Sequence, residues 1–307
     1  MKKGFDIIGA PFNQLGCVTT EQNTVDGLRD MDERSWVGLT DWIQVRTQRW
    51  GSDIVDVGDV VVTSDVKNLI QNGHKDKALF NYANDVKSTL LASYQNNRIP
   101  ITIGGDHSIA VGTLQATMEF YQKEKGKKVA VVWVDAHADI NNSLDSNLHG
   151  KPLALLTNQY PHNDWNIPSD SAVNPKDIYY IGVRDVMRNE FDLINELNMT
   201  NYDMSFIEKH GFNAVVDVLM AKLEQDYDHI YLSFDYDALD GSIFRACATP
   251  NVGGLTAREA LHLVHTLSSS PKFVGADFVE YMPELDNNGM SKEFMVKLID
   301  AVWGFRS

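Results

Sequence analysis

Val129-Ala-Val-Val-Trp-Val134 is an unbroken apolar run dominated by β-branched residues. Such a run suits a strand covered on both faces, the condition of a parallel sheet flanked by helices. It constrains the rest of the chain, because parallel strands must be joined by long crossovers. Strand-like runs recur at 5–11, 53–57, 98–104, 177–182, 202–207, 229–235 and 273–280. Helical spacing lies between them at 25–31, 76–94, 109–122, 151–156, 190–197, 213–223 and 256–266, and again at 291–303. The polar stretch 159–176, with three prolines, reads as surface loop. This βα alternation predicts an α/β fold with a mostly parallel sheet covered on both faces.

Composition narrows the class. No linker or repeat divides the 307 residues, so 1–307 is expected to form a single domain. The chain is 43% apolar and 22% charged, as globular proteins are. No apolar run approaches the ~20 residues needed to cross a bilayer, so no membrane partner is expected. Met1-Lys-Lys-Gly4 leads into a strand pattern containing Asp6 rather than a signal-peptide core, which predicts a cytoplasmic protein. Cys17 and Cys247 are then expected as free thiols. A formal net charge of −15 speaks against nucleic acid and suits a small cationic substrate or bound cations.

The central run ends in Asp135-Ala-His137-Ala-Asp139. On an extended chain alternate side chains share a face, so these three are expected to point together. Carboxylate oxygen and imidazole nitrogen suit Mn, Fe, Co or Zn, although polar residues also cap strands without binding anything. The strand 98–104 leads through Gly104-Gly105 into Asp106-His107-Ser108. That places His107 where α/β proteins bind ligands, or leaves it incidental to a helix capped by Ser108. The run 229–235 repeats the central design, closing on Asp235-Tyr-Asp237, and the last strand ends at Glu280. In a parallel sheet all these ends share one edge, so the seven side chains converge. Like charges about 4 Å apart cost several kcal/mol at protein-like dielectric, and two divalent cations would remove that cost and activate a water.

Gly104-Gly-Asp-His-Ser108, Asp135-Ala-His-Ala-Asp139 and Ser233-Phe-Asp-Tyr-Asp-Ala-Leu-Asp240 resemble the three signatures of the ureohydrolase superfamily, the arginases, agmatinases and their relatives. The likeness runs from Ile8-Gly-Ala-Pro-Phe-Asn13 to Val279-Glu280. Asp139-Ile-Asn141 and Asn147-Leu-His-Gly150 bring it nearest to arginase. It implies a three-layer α/β/α domain with two Mn2+ ions at the sheet edge. One would be held by His107, Asp135, Asp139 and Asp235, the other by Asp135, His137, Asp235 and Asp237. It implies that a bridging hydroxide, with Asp139 accepting its hydrogen bond, attacks the guanidinium of L-arginine to give L-ornithine and urea. Glu280 would orient the guanidinium and His149 would pass a proton to the leaving amine; otherwise His149 is a loop histidine capping a helix. Asn141, Asn147, Thr249 and either Asp145 or Ser146 would contact substrate. The resemblance also implies a trimer or hexamer.

The chain departs from the arginase pattern in the shortened 141–147 loop, at Met187 in place of an aspartate, and at Asp240-Gly241 in place of Asp-Pro. These bear on the substrate, leaving agmatine, guanidinobutyrate or N-formimidoylglutamate as alternatives. A non-catalytic relative would be marked by lost ligands, and all six positions are intact.

Overall fold

The computed structural model describes residues 4–20, 23–31, 37–145, 147–161 and 165–304. Among them the chain forms β1 (Gly4–Ala10), α1 (Thr24–Arg29), α2 (Leu39–Trp50), β2 (Asp53–Asp59), α3 (Ser64–Gln71), α4 (Lys75–Gln95), β3 (Arg98–Gly104), α5 (Ala110–Thr117), β4 (Val129–Val134) and α6 (Pro152–Leu156). It continues through β5 (Ile178–Ile181), α7 (Arg188–Glu196), β6 (Thr200–Tyr202), α8 (Met204–His210), α9 (Phe212–Asp226), β7 (His229–Asp235), α10 (Ala257–Ser269), β8 (Phe273–Val279) and α11 (Met290–Asp300). All eight strands pair in parallel, in the order β2-β1-β3-β8-β7-β4-β5-β6.

The apolar runs explain the layers. In β4 every residue is buried, and alternate side chains enter opposite cores. Val132 and Val134 join α1, α2 and α8 to α11 on one face. Val131 and Trp133 join α3 to α7 on the other. The expected α/β/α sandwich is therefore what forms.

Four local expectations fail. Residues 202–207 are not a strand, because Asp203 accepts the Phe206 N–H at 2.7 Å and caps α8, leaving β6 only three residues. Helices α2 and α3 were not foreseen; α2 buries only Leu39 and Arg46, so its apolar stripe is thin. The stretch 159–176 is not all surface, since Trp165 and Ile167 are buried, Trp165 edge-on to Phe80. Finally, the extended backbone expected through Asp139 stops at Val134.

Candidate metal centre

The predicted donors leave the C-terminal ends of β3, β8, β7 and β4, the four strands at the middle of the sheet. After β3 the backbone at Gly105 lies against Phe12 so closely that a Cβ would stand 2.2 Å from its carbonyl oxygen, which demands glycine. Asp106 rather than Ser108 then caps the short turn that carries His107, accepting the Ser108 N–H at 3.1 Å. After β4, Asp135 Oδ1 accepts the His137 N–H at 2.7 Å and bends the chain. After β7, Asp235 Oδ1 does the same for Asp237 at 2.7 Å. Asp139 and Glu280 hold positive φ, 48° and 65°, a conformation that non-glycine residues adopt at a cost and that concentrates at functional sites.

These turns produce two donor groups. His107 Nδ1 stands 3.0 Å from Asp235 Oδ2, 3.1 Å from Asp139 Oδ2 and 3.2 Å from Asp135 Oδ2. His137 Nδ1 stands 3.1 Å from Asp237 Oδ2 and 3.5 Å from Asp135 Oδ1. Asp135 thus serves both groups, one oxygen each. All of these side chains are buried except the partly exposed His137.

Burial lifts the Asp235 and Asp237 carboxyls, and neighbouring negative charge adds to it. Burial and then the Asp135 charge bring Asp139 to about 6. Burial also acts on Asp135, but the two imidazoles prevail and hold it well below the usual range. Burial opposes a charged His107, yet the facing carboxylates raise its pKa well above normal. The cluster is short of positive charge, and protons on histidine are its substitute for a cation.

The geometry fits a divalent ion. Donors about 2.1 Å from an octahedral ion and cis to one another stand about 3.0 Å apart, close to the separations around His107 Nδ1. That nitrogen is buried and makes no properly aligned hydrogen bond. The remaining lone pairs are held from behind. Trp133 Nε1–H donates to Asp135 Oδ2 at 2.9 Å, Ser233 Oγ lies 2.9 Å from His107 Nε2, and Asp237 takes the Ala136 N–H and the Thr249 hydroxyl. Arg184 Nη2 donates to the Asp237 carbonyl at 2.8 Å.

Glu280 and His149 form the adjoining pair, His149 Nδ1 lying 3.2 Å from Glu280 Oε1. Burial works against the imidazolium, but Glu280 lifts His149 to about 11. Glu280, which burial alone would raise, is held below its usual range by His149 and by the His107 N–H at 2.9 Å. Cys17 Sγ lies 3.7 Å from His149 Nε2 and accepts the Asn147 amide at 3.3 Å.

The predicted substrate contacts are less uniform. Asn141 is buried, its carbonyl oxygen already bonded by Ser143 N–H and Asn189 Nδ2. Asn147 and Asp145 are exposed, whereas Thr249 is half-buried and donates its hydroxyl to Asp237 Oδ2 at 3.0 Å. Ser146 lies outside the described residues. Met187 is 64% exposed at the start of α7. Lys151, fully buried behind the loop, donates to the Ser143 carbonyl. Sequence reasoning passed over Lys151, Trp133, Ser233 and Asp277; for the last two the available signal was their same-face spacing from Asp235 and Val279 on adjacent strands.

The geometry has counterparts. Residues 3–304 match the profile of the Arginase family. The chain is 32% identical to an arginase of Staphylococcus aureus over 311 residues, covering 99% of this chain and 98% of that one. It is 40% identical to an arginase of Coccidioides posadasii over 206 residues, a match that spans 64% of this chain and 63% of the length of that relative. The crystal structure of arginase from Bacillus cereus superposes with a TM-score of 0.81 at 27% identity, over the whole of both chains.

Proposed function

The chain belongs to the arginase family, and on that premise we propose that it is a cytoplasmic, single-domain, homo-oligomeric hydrolase that converts L-arginine to L-ornithine and urea. The observation that carries this reading is the pair of donor groups sharing Asp135, set beside the Glu280–His149 pair. His107, Asp135, Asp139 and Asp235 are suited to one Mn2+, and Asp135, His137, Asp235 and Asp237 to a second. When bound, such ions bring the pKa of a water towards neutrality.

The side chains do the rest. Glu280 receives the guanidinium, displacing His149 from its carboxylate and presenting the guanidinium carbon to the cluster. Asp139 accepts a hydrogen bond from the attacking water. As the new C–O bond forms and the C–N bond breaks, His149 delivers a proton to the leaving amine, a task suited to imidazole. Asn141, Asn147 and Thr249, with Asp145 or Ser146, border the substrate.

Asp145 favours a second reading. An exposed acid at that position repels an α-carboxylate, and Met187 offers no charge to an α-ammonium. A guanidino or formimidoyl compound with a different tail is therefore the competing substrate. The test is release of urea or formamide from arginine, agmatine, guanidinobutyrate and N-formimidoylglutamate with Mn2+ added. Arginine should turn over fastest; arginine at background while another compound reacts rejects the first reading.

A further inference from the structure

Asp277 is fully buried in β8 and has no role in the chemistry above. Its Oδ2 accepts the Thr113 hydroxyl at 2.7 Å and the Tyr231 hydroxyl at 2.9 Å, and its Oδ1 accepts the Ser233 hydroxyl at 2.5 Å. Ser233 is its cross-strand partner in β7. Beyond Ser233 comes His107, whose Nε2 lies 2.9 Å from Ser233 Oγ.

The direction of each bond in this row follows from donor counting. A carboxylate only accepts, so each hydroxyl around Asp277 commits its single proton to it. Ser233, its proton committed, can meet His107 only as an acceptor. The proton that His107 keeps when neutral is therefore the one on Nε2, and Nδ1 is the nitrogen that gives up its proton and offers a lone pair when a cation takes the place of that charge. Nδ1 is the atom that faces Asp135, Asp139 and Asp235. We propose that Asp277, acting through Ser233, is a positioning residue that fixes the tautomer and ring direction of His107 so that Nδ1 is presented as a cation ligand.

An ordinary packing role does not account for the arrangement. Burying a carboxylate costs several kcal/mol before compensation, and an apolar residue would fill the same space without that cost. Partners of metal-ligating histidines typically change metal affinity 10–100-fold when removed. Thr113 supplies an internal contrast, since it bonds the same carboxylate but leads to no ligand.

The inference rests on the reading of the cluster as a two-cation site. The experiment strips the full-length protein of metal and titrates it with Mn2+, counting free ion by electron paramagnetic resonance. The parent should take up two ions per chain. Asp277→Asn and Ser233→Ala should each weaken one of the two about 10–100-fold and spare the other. Ser233→Thr should bind as the parent does, and Thr113→Val should lose stability but not affinity. Should Asp277→Asn fail to fold, Ser233→Ala carries the test alone. A parent that binds two ions, with Ser233→Ala within threefold of it at both sites, overturns the proposal and leaves the metal centre standing. A parent that binds no Mn2+ overturns both.

Discussion

Trp133 lies flat against His107, ring centroids 4.0 Å apart and planes within 7° of parallel, while its indole N–H goes to Asp135. One side chain thus steadies two donors from adjacent directions, by stacking and by a hydrogen bond to a charged group. Trp133→Phe keeps the stack and removes the bond. Mn2+ affinity is predicted to fall about tenfold with little change in fold, and a metal titration beside a circular dichroism spectrum checks this.

Asp237→Ala removes the carboxylate nearest His137. The second ion should be lost and turnover should drop by orders of magnitude, while the thermal melt of the metal-free protein stays close to the parent's. Unchanged activity refutes the assignment of Asp237 as a ligand.

The metal-free protein is predicted to become more stable as the pH falls from about 8 to about 5. Burial, the leading cause in each case, raises Glu190 to about 7 and Asp106 and Asp139 to about 6. A group with a folded pKa above its unfolded value binds more protons when folded. Its stabilisation grows as the pH falls through the folded value and is complete below the unfolded one, near 4 for acids. His149, raised by Glu280 against the effect of burial, acts in the same sense, and its share is complete below about 6.5. Asp135 and Glu280, held low, act oppositely, but only below about pH 4. Melting temperatures should be several degrees higher at pH 5 than at pH 8. Mn2+ should reverse the trend, because ligands bind it deprotonated. A flat profile without metal contradicts this account.

Lys151 holds the loop that borders the site, its ammonium bonded to Ser143 and lying 4.7 Å from the centre of the Tyr160 ring. Lys151→Met keeps the bulk and loses the bond. KM should rise several-fold with two Mn2+ still bound and kcat nearly unchanged. Equal KM values in parent and variant count against a role in shaping the loop.

Arg46 and Asp300 pair in a buried contact that ties α2 to α11, with Nε donating to Oδ1 at 2.8 Å. Arg46→Ala strands a buried carboxylate and should cost about 3–5 kcal/mol in chemical denaturation. The site is remote, so activity per folded molecule in the cold should be retained.

The sheet and both helical layers were legible because strands such as Val129–Val134 are apolar on both faces and the strong helices carry clear stripes. Helix α2 was not, because its burial depends on Arg46, a residue whose inward position needs Asp300, distant in the chain. The strand expected at 202–207 failed because Asp203 acts as a cap, which outweighs a short apolar pattern. The donors themselves could be placed on one edge from topology alone. Their true convergence depends on turns made by the Asp135 and Asp235 side chains and on left-handed backbone at Asp139, details that alternation along an extended strand does not contain. Thr249, Lys151 and Asp277 illustrate the remaining limit, since which atom a buried polar group reaches is decided by packing across the sheet.

The donors come from the middle four of eight strands, and those strands are drawn from both halves of the chain. No fragment ending before β7 holds more than part of either set, and a stretch lacking β3 has no His107. On the proposed two-ion reading, cation uptake is expected late in folding, after the innermost pairings have closed. On that reading a chain stalled short of that point would lack a competent place for the ions, and metal content would gauge completed assembly.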